Sequence, residues 1–150
     1  VGVEGVGKVG RELIALLLAD GAEVCIADVN EAAMQRVSAE HPSVRLLGAV
    51  ATAPVDVYAP CALGATLTTS SAAAIEAKLV CGAANNQLAS PHNGDDLFQR
   101  GIVYAPDYAI NAGGLINVAA ELEGYDAAKV RTRVEALGDL VGEIAWSHMK

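Results

Sequence analysis

A chain of 150 residues, 53% of them hydrophobic, is long enough for one ordinary domain with a real core, and an aromatic share of only 4% makes that core aliphatic. A net charge of −8 argues against nucleic acid and anionic membrane as partners. Three cysteines (Cys25, Cys61, Cys81) without metal-ligand spacing, no signal peptide and no apolar run long enough to span a bilayer point to buried thiols and a reducing, cytoplasmic setting.

Strand-like and helix-like segments alternate along the chain. Residues 1–4 read as a strand, and 8–19 carry Val9, Leu13, Leu16 and Leu17 at helical spacing. Residues 23–28 read as the next strand. Asn30 is placed to cap a helix over 31–40, with Met34 and Val37 inward and Pro42 as its stop. A short strand over 44–47 precedes a small, irregular stretch, 48–54, and a strand over 55–59. Thr68 to Ser71 offer caps for a helix reaching about residue 77, ahead of a strand over 79–82. A helix over 91–100, a strand over 102–105 and a helix over 113–123 ended by Gly124 follow. From Asp126 on, Val130, Val134, Leu137, Val141 and Ile144 mark one stripe of a long helix, which Gly138 and Gly142 weaken by about 1 kcal/mol each. The pattern predicts an α/β fold: a Rossmann-like doubly wound parallel sheet, helices on both faces, strand order 3-2-1-4-5-6. Because Val1 already lies inside a strand, residues 1–150 are expected to be one domain cut from a longer protein.

The first ten residues carry chemistry. Gly5, Gly7 and Gly10 fit G-x-G-x-x-G between a strand and a helix, and Asp28 ends the next apolar run, 18 residues after Gly10. In such a turn Gly5 permits the bend, Gly7 lets backbone N–H groups approach a pyrophosphate, and Gly10 lets helix and strand pack closely. The helix N-terminus adds partial positive charge there. A carboxylate at Asp28 bonds ribose hydroxyls and repels a 2′-phosphate, which favours NAD over NADP. Gly2 to Lys8 nearly spells a P-loop, but Val9 stands where Ser or Thr is required. Tyr125 and Lys129 mimic a short-chain dehydrogenase pair, but fall at a helix break.

In an open parallel sheet ligands bind at the carboxyl ends of the strands. The segments 59–65, 82–88 and 105–114 follow three such ends and are rich in small residues and amides, which suit a carboxamide needing both a donor and an acceptor. Ala-Pro-Cys-Ala-Leu-Gly-Ala (59–65), Cys-Gly-Ala-Ala-Asn-Asn-Gln-Leu (81–88) and Tyr-Ala-Pro-Asp-Tyr-x-x-Asn-Ala-Gly-Gly-x-Ile-Asn-Val (104–118) together strongly resemble the NAD-binding domain of the leucine, valine and phenylalanine dehydrogenases, within the glutamate dehydrogenase superfamily. The resemblance runs from Val1 to about Tyr125, and the phrase 80–88 looks most like actinobacterial valine dehydrogenases.

The resemblance implies reversible oxidative deamination of a branched-chain or aromatic L-amino acid to a 2-oxo acid and ammonia, with hydride passing to NAD. It implies that Gly5, Val6, Gly7, Lys8, Val9 and Gly10 hold the pyrophosphate and Asp28, with Val29, the adenosine ribose. Cys61, Ala62 and Leu63 contact the nucleotide, Ala84 and Asn85 lie near the nicotinamide ribose, and Asn111 lies near the nicotinamide amide. Asn86 touches substrate, while the apolar Leu115 and Val118 line its side-chain pocket and fit glutamate poorly. It further implies a homo-oligomer when intact. The family's catalytic lysine and aspartate belong to a preceding glycine-rich domain, and none of Lys8, Lys78, Lys129 or Lys150 has that context, so no catalytic residue is expected in this chain. Ala120 stands where the family has Asp, and 43–54 is several residues short.

Other readings stand beside these: a stand-alone NAD-binding or regulatory module, and a glutamate-type dehydrogenase. Cys61 reads as a small residue in a tight turn rather than a nucleophile, and His41, His92 and His148 as solvated, with no metal site. Asp107 is open between a turn or cap role and a site role.

Overall fold

The computed structural model describes residues 1–148, with side chains described for 1–122 and 124–143. Six short strands, β1 (Gly2–Glu4), β2 (Cys25–Ala27), β3 (Arg45–Leu46), β4 (Val57–Pro60), β5 (Leu79–Val80) and β6 (Val103–Tyr104), form one sheet in the order β3-β2-β1-β4-β5-β6. Every pairing is parallel. The helices are α1 (Lys8–Ala19), α2 (Glu31–Glu40), α3 (Thr69–Ala74), α4 (His92–Gln99), α5 (Asp107–Ile110), α6 (Gly113–Glu123) and α7 (Ala127–His148).

Two cores flank the sheet. On one face Ile14 of α1 and Val37 of α2 pack with Val3, Val24, Ile26 and Ala59. On the other, Ala72 of α3 and Leu97 of α4 pack with Tyr58, Leu67, Ile75 and Val80. Burial on both faces is why the strands read as apolar runs rather than alternations. The α2 cap forms as expected: the Asn30 side chain accepts the Ala33 N–H at 3.0 Å. Asn30→Ala is expected to cost about 1 kcal/mol of stability, read by urea denaturation.

The structure corrects several expectations. Val9 and Leu16 are 57% and 65% exposed, and the buried anchor of α1 is Ile14. The strands are shorter than their apolar runs, and α3 stops at Ala74, with Ile75 extended. Helix α5 falls in a segment for which the sequence pattern predicts no helix; Asp107 in its first turn, after Pro106, is the local signal for it. On α7, Val130, Leu137 and Val141 are half-buried but Val134 is 40% exposed. The side chains of Ile144 and His148, and Lys150, lie outside the described residues.

Ala65 holds a positive φ of 57°. That conformation strains a residue with a Cβ by about 1–2 kcal/mol, less the entropy glycine loses on folding. Ala65→Gly is therefore expected to raise stability by about 0.5–1 kcal/mol, seen as a higher urea midpoint at unchanged slope.

Candidate functional site

Loops meet at the carboxyl ends of the central strands, beginning with the glycine turn between β1 and α1. Gly5 has φ +98°, and a Cβ on it would lie 2.6 Å from the Ala62 backbone nitrogen. A Cβ on Gly10 would collide with the Gly5 carbonyl oxygen. These contacts seat the turn against the next loop and α1 against the strand end. Gly7 differs: its φ is an ordinary −67°, and nothing lies within 4 Å of a Cβ built there. Gly7 caps α1 without any side-chain acceptor, so N–H groups of the first turn are left without intrahelical partners. The Val6 N–H, just before the cap, donates to Asp28 Oδ2 at 2.7 Å.

Asp28 ties the turn to the end of β2. Its Oδ1 accepts the Asn30 N–H at 2.7 Å, and each oxygen keeps capacity for a further bond. Beside it a groove of about 590 Å³ opens between α1 and α2, with Gly7, Asp28, Ala33, Arg36 and His41 among its walls. Arg11 of α1 and Glu40 of α2 pair at 3.4 Å. Val29 is fully exposed.

Backbone hydrogen bonds chain the remaining loops together. Cys61 N–H donates to Glu4 O at 2.7 Å, Ala84 N–H to Pro60 O at 2.9 Å, and Ala65 N–H to Asn86 O at 2.6 Å. Asn86 sits at φ +50°, which Asn tolerates better than most residues. Asn111 Nδ2 donates to Asn85 Oδ1 at 2.7 Å. The residues expected at the nucleotide (Gly5–Gly10, Asp28, Cys61–Leu63, Ala84, Asn85 and Asn111) thus lie on adjoining loops at one edge of the sheet. Leu115 and Val118, 73% and 56% exposed, stand one turn apart on α6.

Two residues that hold this edge were not singled out from sequence. Gln87 is fully buried; its Nε2 donates to Gly82 O and Ala84 O, and its backbone N–H donates to Asp107 Oδ2 at 3.3 Å. A lone long amide among small residues was the available signal. Asp107 is thereby a tie between loops, and its Oδ1 also accepts the Tyr104 hydroxyl at 3.4 Å. Burial pushes that hydroxyl up to about 12, so it remains the donor. The second is Glu4, whose Oε2 accepts the Tyr58 hydroxyl at 2.6 Å.

Burial raises the Cys61 and Cys81 thiols, which keeps both protonated near neutral pH and leaves neither an activated nucleophile. Cys25 is buried, whereas Cys61 and Cys81 are half-buried. His41 is half-buried in the groove wall, and His92 bonds Ser90 Oγ at 2.7 Å and Thr69 Oγ1 at 3.3 Å rather than water alone. Among the described residues no group of three His, Cys, Asp or Glu is placed to hold a metal ion. No helix among them is long and apolar enough to cross a membrane. Lys8 is exposed beside the turn, Lys78 pairs with Asp56 at 2.8 Å, and Lys129 pairs with Asp126 at 3.8 Å.

Residues 26–143 match the glutamate/leucine/phenylalanine/valine dehydrogenase family. The chain is 49% identical over 143 residues to a valine dehydrogenase of Streptomyces virginiae, and 43% identical over 151 residues to a leucine dehydrogenase of Bacillus cereus. These matches cover 93% and 96% of the chain; it spans about 40% of the length of these curated relatives. The crystal structure of L-tryptophan dehydrogenase from Nostoc punctiforme superposes with a TM-score of 0.87 at 30% identity, covering 99% of this chain and 51% of that one.

Proposed function

This chain belongs to the glutamate/leucine/phenylalanine/valine dehydrogenase family, and from that premise we propose that it is the NAD-binding part of an L-amino-acid dehydrogenase acting on branched-chain or aromatic substrates. The observation that carries the reading is the glycine turn: an uncapped helix N-terminus, clear space above Gly7, and a carboxylate fixed at the end of β2 beside an open groove. The residues fit a dinucleotide. First-turn N–H groups of α1 would hold the pyrophosphate, since they are unpaired and carry the helix's positive end. Asp28 would accept the adenosine ribose hydroxyls with the capacity its two backbone donors leave free. NAD, when bound, accepts a hydride from the amino acid.

The chain's own residues bind and orient. Asn85 and Asn111 form a hydrogen-bonded amide pair that offers a donor and an acceptor to a carboxamide. Asn86 is exposed at the same loop for the substrate's polar end, and Leu115 and Val118 offer apolar surface to its side chain. Lys78 and Lys129 are engaged in ion pairs on the surface. On the family resemblance, the acid–base groups of deamination are assigned to a part of the protein beyond these residues, with the reaction cleft between the two.

The test is a calorimetric titration with NAD and, separately, NADP. Saturable NAD binding with NADP at least tenfold weaker is expected. Binding of neither, or NADP binding as tightly as NAD, would overturn the cofactor assignment.

A further inference from the structure

The end of β1 holds a charge that the surrounding chemistry does not call for. Glu4 stands one residue before the glycine turn, opposite Pro60 of β4 in the sheet register. This is the point where the strand order reverses and where ligands cross in such sheets. Its side chain is half-buried on the face that carries α3 and α4, where Oε2 accepts the hydroxyl of Tyr58, itself 2% exposed. Burial first, and the Glu4 contacts second, push the Tyr58 hydroxyl well above the ordinary tyrosine range, so the proton stays on Tyr58 and Glu4 stays the acceptor. No lysine, arginine or histidine pairs with Glu4 among the described residues. A carboxylate therefore lies beneath a turn built to receive phosphates, neutralised only by a hydroxyl dipole. A local rule broken without compensation is where a functional reason is to be sought.

The two redox forms of a nicotinamide dinucleotide share their phosphates and differ by one positive charge, carried on the oxidised ring. A fixed negative charge penalises both forms through the phosphates but attracts the ring of one. Asn85 and Asn111, the amides assigned above to the nicotinamide half, stand on loops that follow β5 and β6, in the half of the sheet that Glu4 meets through Pro60 of β4. We infer that Glu4 biases this site toward the oxidised dinucleotide over the reduced one, acting as a specificity-determining residue for cofactor redox state. The inference rests on the dinucleotide reading of the site. At a separation of about 10 Å and an effective dielectric of about 25–50, one charge shifts the relative affinity of the two forms by about three- to tenfold.

The experiment measures Kd for NAD⁺ and NADH by calorimetry on the protein and on two variants. Glu4→Gln removes the charge but keeps an oxygen that can accept the Tyr58 hydroxyl. It is expected to lower the ratio of the NADH Kd to the NAD⁺ Kd by about three- to tenfold. Tyr58→Phe removes the contact but keeps the charge, and its ratio is expected to stay within about twofold of the parent, within the scatter of one weak hydrogen bond. An unchanged ratio in Glu4→Gln overturns the inference while leaving the dinucleotide reading intact. The same ratio shift in both variants also overturns it, since the contact rather than the charge would then be responsible. Failure of the parent protein to bind either form overturns the inference and the reading together.

Discussion

Gly7→Ala is expected to weaken NAD binding by about a hundredfold or more while leaving stability within about 1 kcal/mol of the parent. The two halves of this expectation have separate physical origins. Within the chain nothing opposes the substitution: φ is −67°, and no atom lies within 4 Å of the added Cβ. The remaining cost is that alanine caps a helix less well than glycine, about 0.5–1 kcal/mol. The added methyl instead occupies the space above the first-turn N–H groups, where a pyrophosphate must come into hydrogen-bond range. Gly10→Ala is expected to do the opposite in sequence of cause. Its Cβ meets the Gly5 carbonyl oxygen, so α1 must move off the end of β1. The fold should lose about 3 kcal/mol or more, with binding lost as a result. Urea denaturation beside calorimetry separates the pair. Gly7→Ala that unfolds, or that binds NAD normally, would contradict the assignment of this turn.

Asp28→Ala is expected to weaken NAD by about ten- to a hundredfold and to erase the preference over NADP. The carboxylate serves both the backbone and, on the proposed reading, the ligand. Removing it strips the acceptor from the Val6 N–H, which belongs to a residue 3% exposed, and from the Asn30 N–H at the head of α2. An orphaned buried donor costs about 1–3 kcal/mol, whereas the exposed Asn30 N–H finds water, so about 2 kcal/mol of stability should go with it. The loss of discrimination is the diagnostic part. A 2′-phosphate no longer meets a negative charge, and Arg36 in the same groove wall has no ion-pair partner among the described residues. NADP affinity should therefore hold steady or rise as NAD affinity falls. Parallel titrations with the two dinucleotides read this directly, and equal losses for both would assign Asp28 a purely structural role.

What could be read from the sequence follows from what is local. Helices α1, α2 and α6 begin and end where spacing, the Asn30 cap and Gly124 put them, because a helix closes its hydrogen bonds within four residues. The strand order was legible because alternating strands and helices leave few right-handed topologies open. Strand ends were not legible. The run around Val24 is buried like a strand, yet β2 starts at Cys25, because a strand lasts only as long as its neighbours keep register with it. Exposure on α1 was not legible either, for a related reason. Val9 and Leu16 fit the helical period, but which flank of the stripe meets the sheet depends on how the whole helix is docked. At the candidate site, backbone features were legible in the glycines and amides. The tie from Glu4 to Tyr58 joins residues whose partnership only the sheet creates, and Gln87 folds back on Gly82 and Ala84 of its own loop in a way no spacing rule announces.

The all-parallel ladder also governs how this chain can reach its native state. Among the described residues no hairpin is present to start the sheet; the first pairing, Gly2 with Cys25, closes only with a helix between them, and β1 meets β4 across 56 positions of sequence, from Gly2 to Tyr58. Since the two halves of the sheet, β3-β2-β1 and β4-β5-β6, join only through the β1–β4 pairing, the sheet is not continuous until those three residues of β1 are in place. Loop-closure entropy must be met before any of these pairings is rewarded, so folding is expected to be slow for a domain of this size, with helices forming first and the central strand arriving as the committing event.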